Sequence, residues 1–238
     1  MIRNACAVLM CSRGTPMFLS GDEFGNTKYG NNNSYCQDSR ISWLDWRMLD
    51  KNRDLFEFFK FMIAFRKQHT VIHKKLPDSV CGMDPIHTHN INADEVDIPR
   101  DARTFCVSFT GYDKEKGRDD LVYVAVNTYW EDVTITLPSL KGHGAWHLSV
   151  NTYGDENGRY CYPDGEDPRI DHSFIMRPRT VAVFTGRIFK FLFVHITDTK
   201  TSWHSTRHAS SFALSGYLFL NLSIISIRTV FTVIMLVL

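Results

Sequence analysis

Apolar and polar positions change regime several times along the chain. Ala5 to Cys11 is an almost unbroken apolar run, which predicts a short helix over residues 1–12 with Ala5, Leu9 and Met10 available for packing. Gly14-Thr15-Pro16 breaks it. Met17-Phe18-Leu19 then reads as a short parallel strand buried on both faces. A polar stretch from Gly21 to Met48 follows. From Lys51 to about His69, Leu55, Phe58, Phe59, Met62 and Phe65 recur at three- and four-residue spacing, predicting an amphipathic helix. Phe56, Phe61 and Ile63 widen its apolar stripe. Asp50 is the predicted N-cap, and Arg66, Lys67 and His69 fall near the negative end of the helix dipole.

Beyond a polar, proline-bearing connector over 73–102, the period switches to two. Phe105, Val107 and Phe109 form one alternating set, and Leu121 to Asn127 a second. Val133, Ile135 and Leu137, then Trp146, Leu148 and Val150, and finally Val181 and Val183 continue it. Short alternating runs separated by turn residues predict an antiparallel β-sandwich over 103–186. From residue 187 the composition shifts again, and Ser211 to Leu238 is dominated by Leu, Ile, Phe and Val. That density permits a membrane-spanning helix, which Arg228 opposes by about 2.5–3.5 kcal/mol at mid-span. A membrane partner is therefore conceivable only through 211–238. The stretch is read as unrelated to the rest of the chain, a product of a gene-model error or read-through, with a genuine hydrophobic tail and a packed extra element as the other readings.

Composition excludes some classes. The formal charge is +1, from 27 basic and 26 acidic residues, without a basic stripe, so no nucleic-acid partner is expected. Six cysteines lie scattered without a CxxC pair, which fits reduced thiols in a cytoplasmic or plastid protein. The apolar run near Met1 is too short for a signal peptide and is closed by Arg13. His87 and His89, with His73 and Asp94 nearby, match no metal-ligand spacing. No metal and no cofactor are expected.

The chemistry concentrates between Gly14 and Trp46. Here an apolar strand-like run leads into a loop rich in amides, carboxylates and aromatic rings. Amides and carboxylates hydrogen-bond hydroxyls, while aromatic faces cover the C–H faces of sugars. The segment Gly14-Thr-Pro-Met-Phe-Leu-Ser-Gly-Asp-Glu-Phe-Gly-Asn26, continued by Asn31-Asn-Asn-Ser-Tyr35 and Trp43-Leu-Asp-Trp46, resembles the eighth strand and following loop of isoamylase-type glycogen and starch debranching enzymes. Those are glycoside hydrolases of the α-amylase superfamily. Val124-Ala-Val-Asn127, Leu137-Pro138, Trp146 and Arg177-Pro-Arg-Thr-Val181 resemble their C-terminal β-domain, so the likeness runs from residue 1 to about 186.

The resemblance implies an α/β part joined to an all-β part. Residues 1–72 would be the last strand and helix of a (β/α)8 TIM barrel, 73–102 a connector, 103–186 the sandwich, and 187–238 an unrelated hydrophobic tail. It implies hydrolysis of α-1,6 branch linkages by a retaining mechanism, with an α-glucan as partner. The family's catalytic aspartate, glutamate and second aspartate follow earlier barrel strands, upstream of Met1. This chain is thus expected to hold no catalytic residue and to be inactive alone. Asp22 and Glu23, adjacent on an extended chain, would point apart and could not face one another as a glycosidase pair.

Both carboxylates are instead assigned to the substrate-binding rim with Asn31, Asn32, Asn33, Tyr35 and Asp38. For the asparagines, a turn-forming role is the competing reading. Trp43 and Trp46 are read as packing the loop against the following helix rather than stacking on glucose. A carbohydrate-binding module without catalysis, and a membrane-tethered interaction protein, are the alternative functions.

Overall fold

In the computed structural model the described residues are 1–188, apart from Val96, Gly142 and His143. The hydrophobic segment 211–238 lies outside them. Among the described residues no helix is long and apolar enough to cross a membrane.

The period-two segments form the expected antiparallel sheet. Its strands are β1 (Ile86–His89), β2 (Thr104–Asp113), β3 (Arg118–Asn127), β5 (Ala145–Asn151), β6 (Arg169–Ile170) and β8 (Thr180–Arg187), in the order β1-β2-β3-β8-β5-β6. A separate two-stranded sheet pairs β4 (Val133–Thr136) with β7 (Ser173–Met176). Strand β1 was not expected, because it lies inside the connector. Its exposed positions leave no alternation to read, yet backbone pairing from Ile86↔Phe109 to His89↔Cys106 makes it an edge strand.

Alternation along the strands sorts side chains onto two buried faces. Val122, Val124, Val181 and Val183 join one cluster, while Leu121, Tyr123, Ala125, Ala182 and Phe184 join the other. Leu148 and Val150 share parity, yet they belong to different clusters. A register irregularity between them explains it, since one extra residue flips every later side chain. The second face packs against Ile135 of β4 and Met176 of β7. Tyr123 there lies 5.7 Å from Trp146 and 6.1 Å from Phe184, ring centre to ring centre. The Trp146 indole N–H donates to the Pro138 carbonyl at 2.7 Å, which satisfies its one polar atom.

Helices cover the other face. These are α1 (Ile2–Cys11), α2 (Arg47–Lys51), α3 (Arg53–Gln68) and α4 (Thr70–His73). Leu55, Phe58, Phe59, Met62 and Phe65 of α3 are buried as predicted, each contributing roughly 1.5–3 kcal/mol. Their cover is α1 and the valines of the sheet. In α1 the buried residues are Cys6, Ala7, Met10 and Cys11, whereas Ala5 is exposed. Burial pushes the Cys6 and Cys11 thiols up to about 12, so both behave as small apolar core residues.

Two local expectations are corrected. Asp50 sits inside α2, and Asn52 takes the N-cap position of α3 with its amide donating to the Phe24 carbonyl at 2.8 Å rather than to the helix. Met17-Phe18-Leu19 is not a strand. Met17 is 86% and Leu19 55% exposed, because a parallel strand needs ladder partners on both sides and none of the described residues supplies one.

Candidate functional site: the loop from Gly21 to Trp46

The loop begins with a tight turn. A 3-10 turn over Asp22–Phe24 is bracketed by Gly21 at φ 100° and Gly25 at φ 72°, a region side chains avoid. Gly21 is doubly required, since a Cβ there would lie 2.7 Å from Asn26 Cβ and 2.9 Å from Leu44 Cδ2. Phe24 is buried and anchors the turn, with Asn52 holding its carbonyl. Asn26 Oδ1 accepts the Asp45 N–H at 3.2 Å and ties the two ends of the loop together.

Asp22 and Glu23 therefore do not lie on extended chain, as the sequence reading assumed. Each carboxylate folds back onto local backbone: Asp22 accepts the Leu19 N–H at 3.0 Å, and Glu23 accepts the Gly21 N–H at 2.8 Å. Carboxylates engaged this way fix the turn. They are the helix-start equivalents of capping groups, serving unpaired N–H donors.

The asparagines divide. Asn31 Oδ1 accepts the Asn33 N–H at 2.9 Å, and Asn33 Oδ1 accepts the Tyr35 N–H at 3.1 Å, two successive Asx turns. Asn32 and Asn33 are exposed and Asn31 half-buried, so the turn-forming role assigned to the asparagines as the competing reading is the one these hydrogen bonds display. Lys28 Nζ donates to Ser34 Oγ at 2.8 Å and Gln37 Nε2 to the Asn33 carbonyl at 3.0 Å, cross-linking the loop internally. Asp38 accepts the Trp43 indole N–H at 2.9 Å. Asp45 receives three bonds from Arg47, two from the guanidinium at 2.8 and 2.7 Å and one from the backbone N–H at 3.1 Å. The hydrogen bond from Arg47 is the main reason its carboxyl sits below the usual carboxylate value.

The aromatic residues overturn the packing expectation. Trp43 is 58% and Trp46 63% exposed, and Tyr35 is 82% exposed. Among the described residues Trp46 has one aromatic neighbour, Phe24, at 5.5 Å between ring centres. Polar side chains hold the loop together, so its rings are not needed for a core. The arrangement can present flat apolar faces beside amide donors and carboxylate acceptors. Asn26 and Asn52, which set the loop's position, escaped the sequence reading because their partners are backbone groups 19 and 28 residues away.

Comparison with known proteins fits these observations. No family model matches the chain. Over 74 residues, 31% of the chain, it is 53% identical to the glycogen operon protein GlgX homolog of Mycobacterium tuberculosis, covering 10% of that protein. Over 152 residues, 63% of the chain, it is 34% identical to the chloroplastic isoamylase 3 of Oryza sativa subsp. japonica, covering 18% of it. Among solved structures, the fold is similar to the pullulanase from Bacillus acidopullulyticus, with a TM-score of 0.55 and 20% identity over 77% of this chain and 20% of that one. It is also similar to an Anoxybacillus pullulanase complexed with maltotetraose, with a TM-score of 0.56 and 15% identity over 77% of this chain and 23% of the other. The chain thus spans between a tenth and a fifth of the length of the curated relatives just named. By these likenesses the chain is similar to GlgX and isoamylase proteins in sequence, and to pullulanases in fold.

Proposed function

We propose that the chain serves in the hydrolysis of α-1,6 branch linkages of glycogen or starch, as the segment that completes an isoamylase-type enzyme. In this reading residues 1–72 close a (β/α)8 barrel, 73–102 connect, and 103–186 form a stabilising β-domain. The loop from Asp22 to Trp46 then lies on the substrate rim, with Asn31, Asn32, Asn33, Tyr35 and Asp38 bonding glucose hydroxyls. The observation that carries this is the loop itself: polar side chains fix its backbone while Tyr35, Trp43 and Trp46 remain exposed. The identity to GlgX and isoamylase proteins supplies the substrate class.

The chemistry would come from carboxylates outside this chain. Asp22 and Glu23 are bound to backbone N–H groups rather than set at the ~5–5.5 Å facing distance of a retaining pair. Incubation of the purified chain with branched glucan should therefore release no reducing ends. Release above a boiled control would refute the assignment of the catalytic groups elsewhere.

A second reading, a glucan-binding module without catalysis, is favoured by the same exposed rings. Both readings place α-glucan on the loop. Glycogen co-sedimentation of the Tyr35→Ala, Trp43→Ala double variant should be weaker by roughly tenfold or more, about 1.4 kcal/mol. Equal pull-down of variant and parent would remove the loop from the binding surface.

A further inference from the structure

A second group of exposed rings lies on the β-domain, where the segments that follow β3 and β5 meet the turn into β8. Trp130 is 60% and Tyr153 59% exposed. Single exposed rings are ordinary on a protein surface, whereas rings gathered on fixed backbone mark a contact surface.

The backbone beneath these rings is held from inside. Asn127, buried at the end of β3, accepts the Tyr129 N–H at 2.9 Å through Oδ1. Its Nδ2 donates to the Glu131 and Arg177 carbonyls, each at 3.0 Å. The Arg179 N–H donates to the Tyr129 carbonyl at 3.0 Å. Thr128 donates to the Arg103 carbonyl through its backbone N–H, at 2.9 Å, and its hydroxyl, at 2.6 Å. The Thr152 N–H donates to the Val181 carbonyl at 3.0 Å, and the Val181 N–H returns a bond to Thr152 Oγ1 at 2.8 Å. The ring positions are thus set before any ligand arrives, which lowers the ordering cost of binding.

Charged side chains join the rings into one strip. Tyr129 and Trp130 lie 4.4 Å apart, ring centre to ring centre, with the Arg103 guanidinium carbon 4.8 and 5.1 Å from the two centres. Arg177 Nη1 donates to Asp132 at 2.6 Å, and its guanidinium carbon lies 5.8 Å from the Tyr153 ring centre. Arg177 therefore links Tyr153 to the segment that carries Trp130.

We infer that this strip is a second α-glucan contact, built from the β-domain alone; the choice of glucan rests on the function proposed above. Trp130 and Tyr153 offer flat faces for the C–H faces of glucose, and the Arg177–Asp132 pair offers hydroxyls a donor and an acceptor side by side. The same pair argues against other ligands. An apolar protein segment would strip water from both charges and return no hydrogen bond. A nucleic-acid backbone would bring its phosphates against Asp132 and the neighbouring Glu131.

Oxidation of tryptophan by N-bromosuccinimide, read for each peptide by mass spectrometry, tests this on the full chain. Millimolar maltoheptaose is expected to slow oxidation of Trp130 about threefold or more, with buried Trp146 as the internal reference. In Tyr153→Ala, which removes an exposed ring, half-protection of Trp130 should need about threefold more maltoheptaose or beyond. Protection of Trp43 and Trp46 without Trp130 would overturn the strip and leave the loop reading standing. Protection of Trp130 alone would support the strip and count against the loop. Absence of protection at every one of these tryptophans would overturn both. A half-protection point unchanged by Tyr153→Ala, or stronger protection of Trp130 by oligothymidylate than by maltoheptaose, would also overturn the assignment.

Discussion

Arg66→Ala is expected to lower the stability of the chain by about 3 kcal/mol or more, visible as a large fall in the urea midpoint. The residue is only 8% exposed, and its guanidinium reaches across to α1. Its Nη1 donates to the Met10 carbonyl at 2.6 Å and to the Ser12 carbonyl at 2.7 Å, and its Nη2 donates to the Gly14 carbonyl at 2.6 Å. The last carbonyls of a helix have no partner within it and carry the negative end of its dipole. Arg66 therefore caps α1 from a neighbouring helix and fixes the bend that leads toward the loop. Alanine would strand these carbonyls, at about 1–3 kcal/mol for each one that water does not reach. Arg66→Lys should recover part of the loss, because a single ammonium cannot fork to three acceptors. A change below 1 kcal/mol for Arg66→Ala would show that solvent satisfies the α1 end unaided.

Arg66 also marks how far sequence reading carries. Its position in the last turn of α3 was legible, and so was the chemistry of a cation meeting a negative helix end. Which helix end it meets was not, since that depends on α1 lying beside α3. The burial of Leu55, Phe58, Phe59, Met62 and Phe65 was readable because periodicity is local. The strands of the β-domain were readable for the same reason, except β1, whose exposed residues carry no pattern. Met17-Phe18-Leu19 misled in the opposite direction: an apolar run states a need for cover, not that cover is present. In the loop, residue types gave the candidates, but the backbone partners of Asp22, Glu23, Asn31 and Asn33 decided which of their atoms stay available. The exposure of Trp43 and Trp46 follows from the same hydrogen bonds, which a composition cannot reveal.

Asp120→Ala is expected to cost about 3–5 kcal/mol at neutral pH, because it breaks a buried pair and leaves the other partner uncompensated. Asp120 joins the start of β3 to the helical layer by accepting from His69 Nδ1 and from the Val71 N–H, with Lys116 3.9 Å away. Burial by itself would raise its carboxyl. The hydrogen bond and charge of His69, the Val71 N–H and the charge of Lys116 outweigh that and hold it below the ordinary value. A carboxyl lowered by folding contributes stability that is fully present above its unfolded value, about 3.9, and is lost as pH falls through the folded value beneath it. The stability gap between parent and Asp120→Ala should accordingly be widest at pH 5–7 and narrow below about pH 4 as the parent protonates. Urea unfolding of both proteins at pH 7, 5 and 3 measures this. A gap that stays constant down to pH 3 would mean that the shape of the side chain, and not its charge, ties the helices to the sheet.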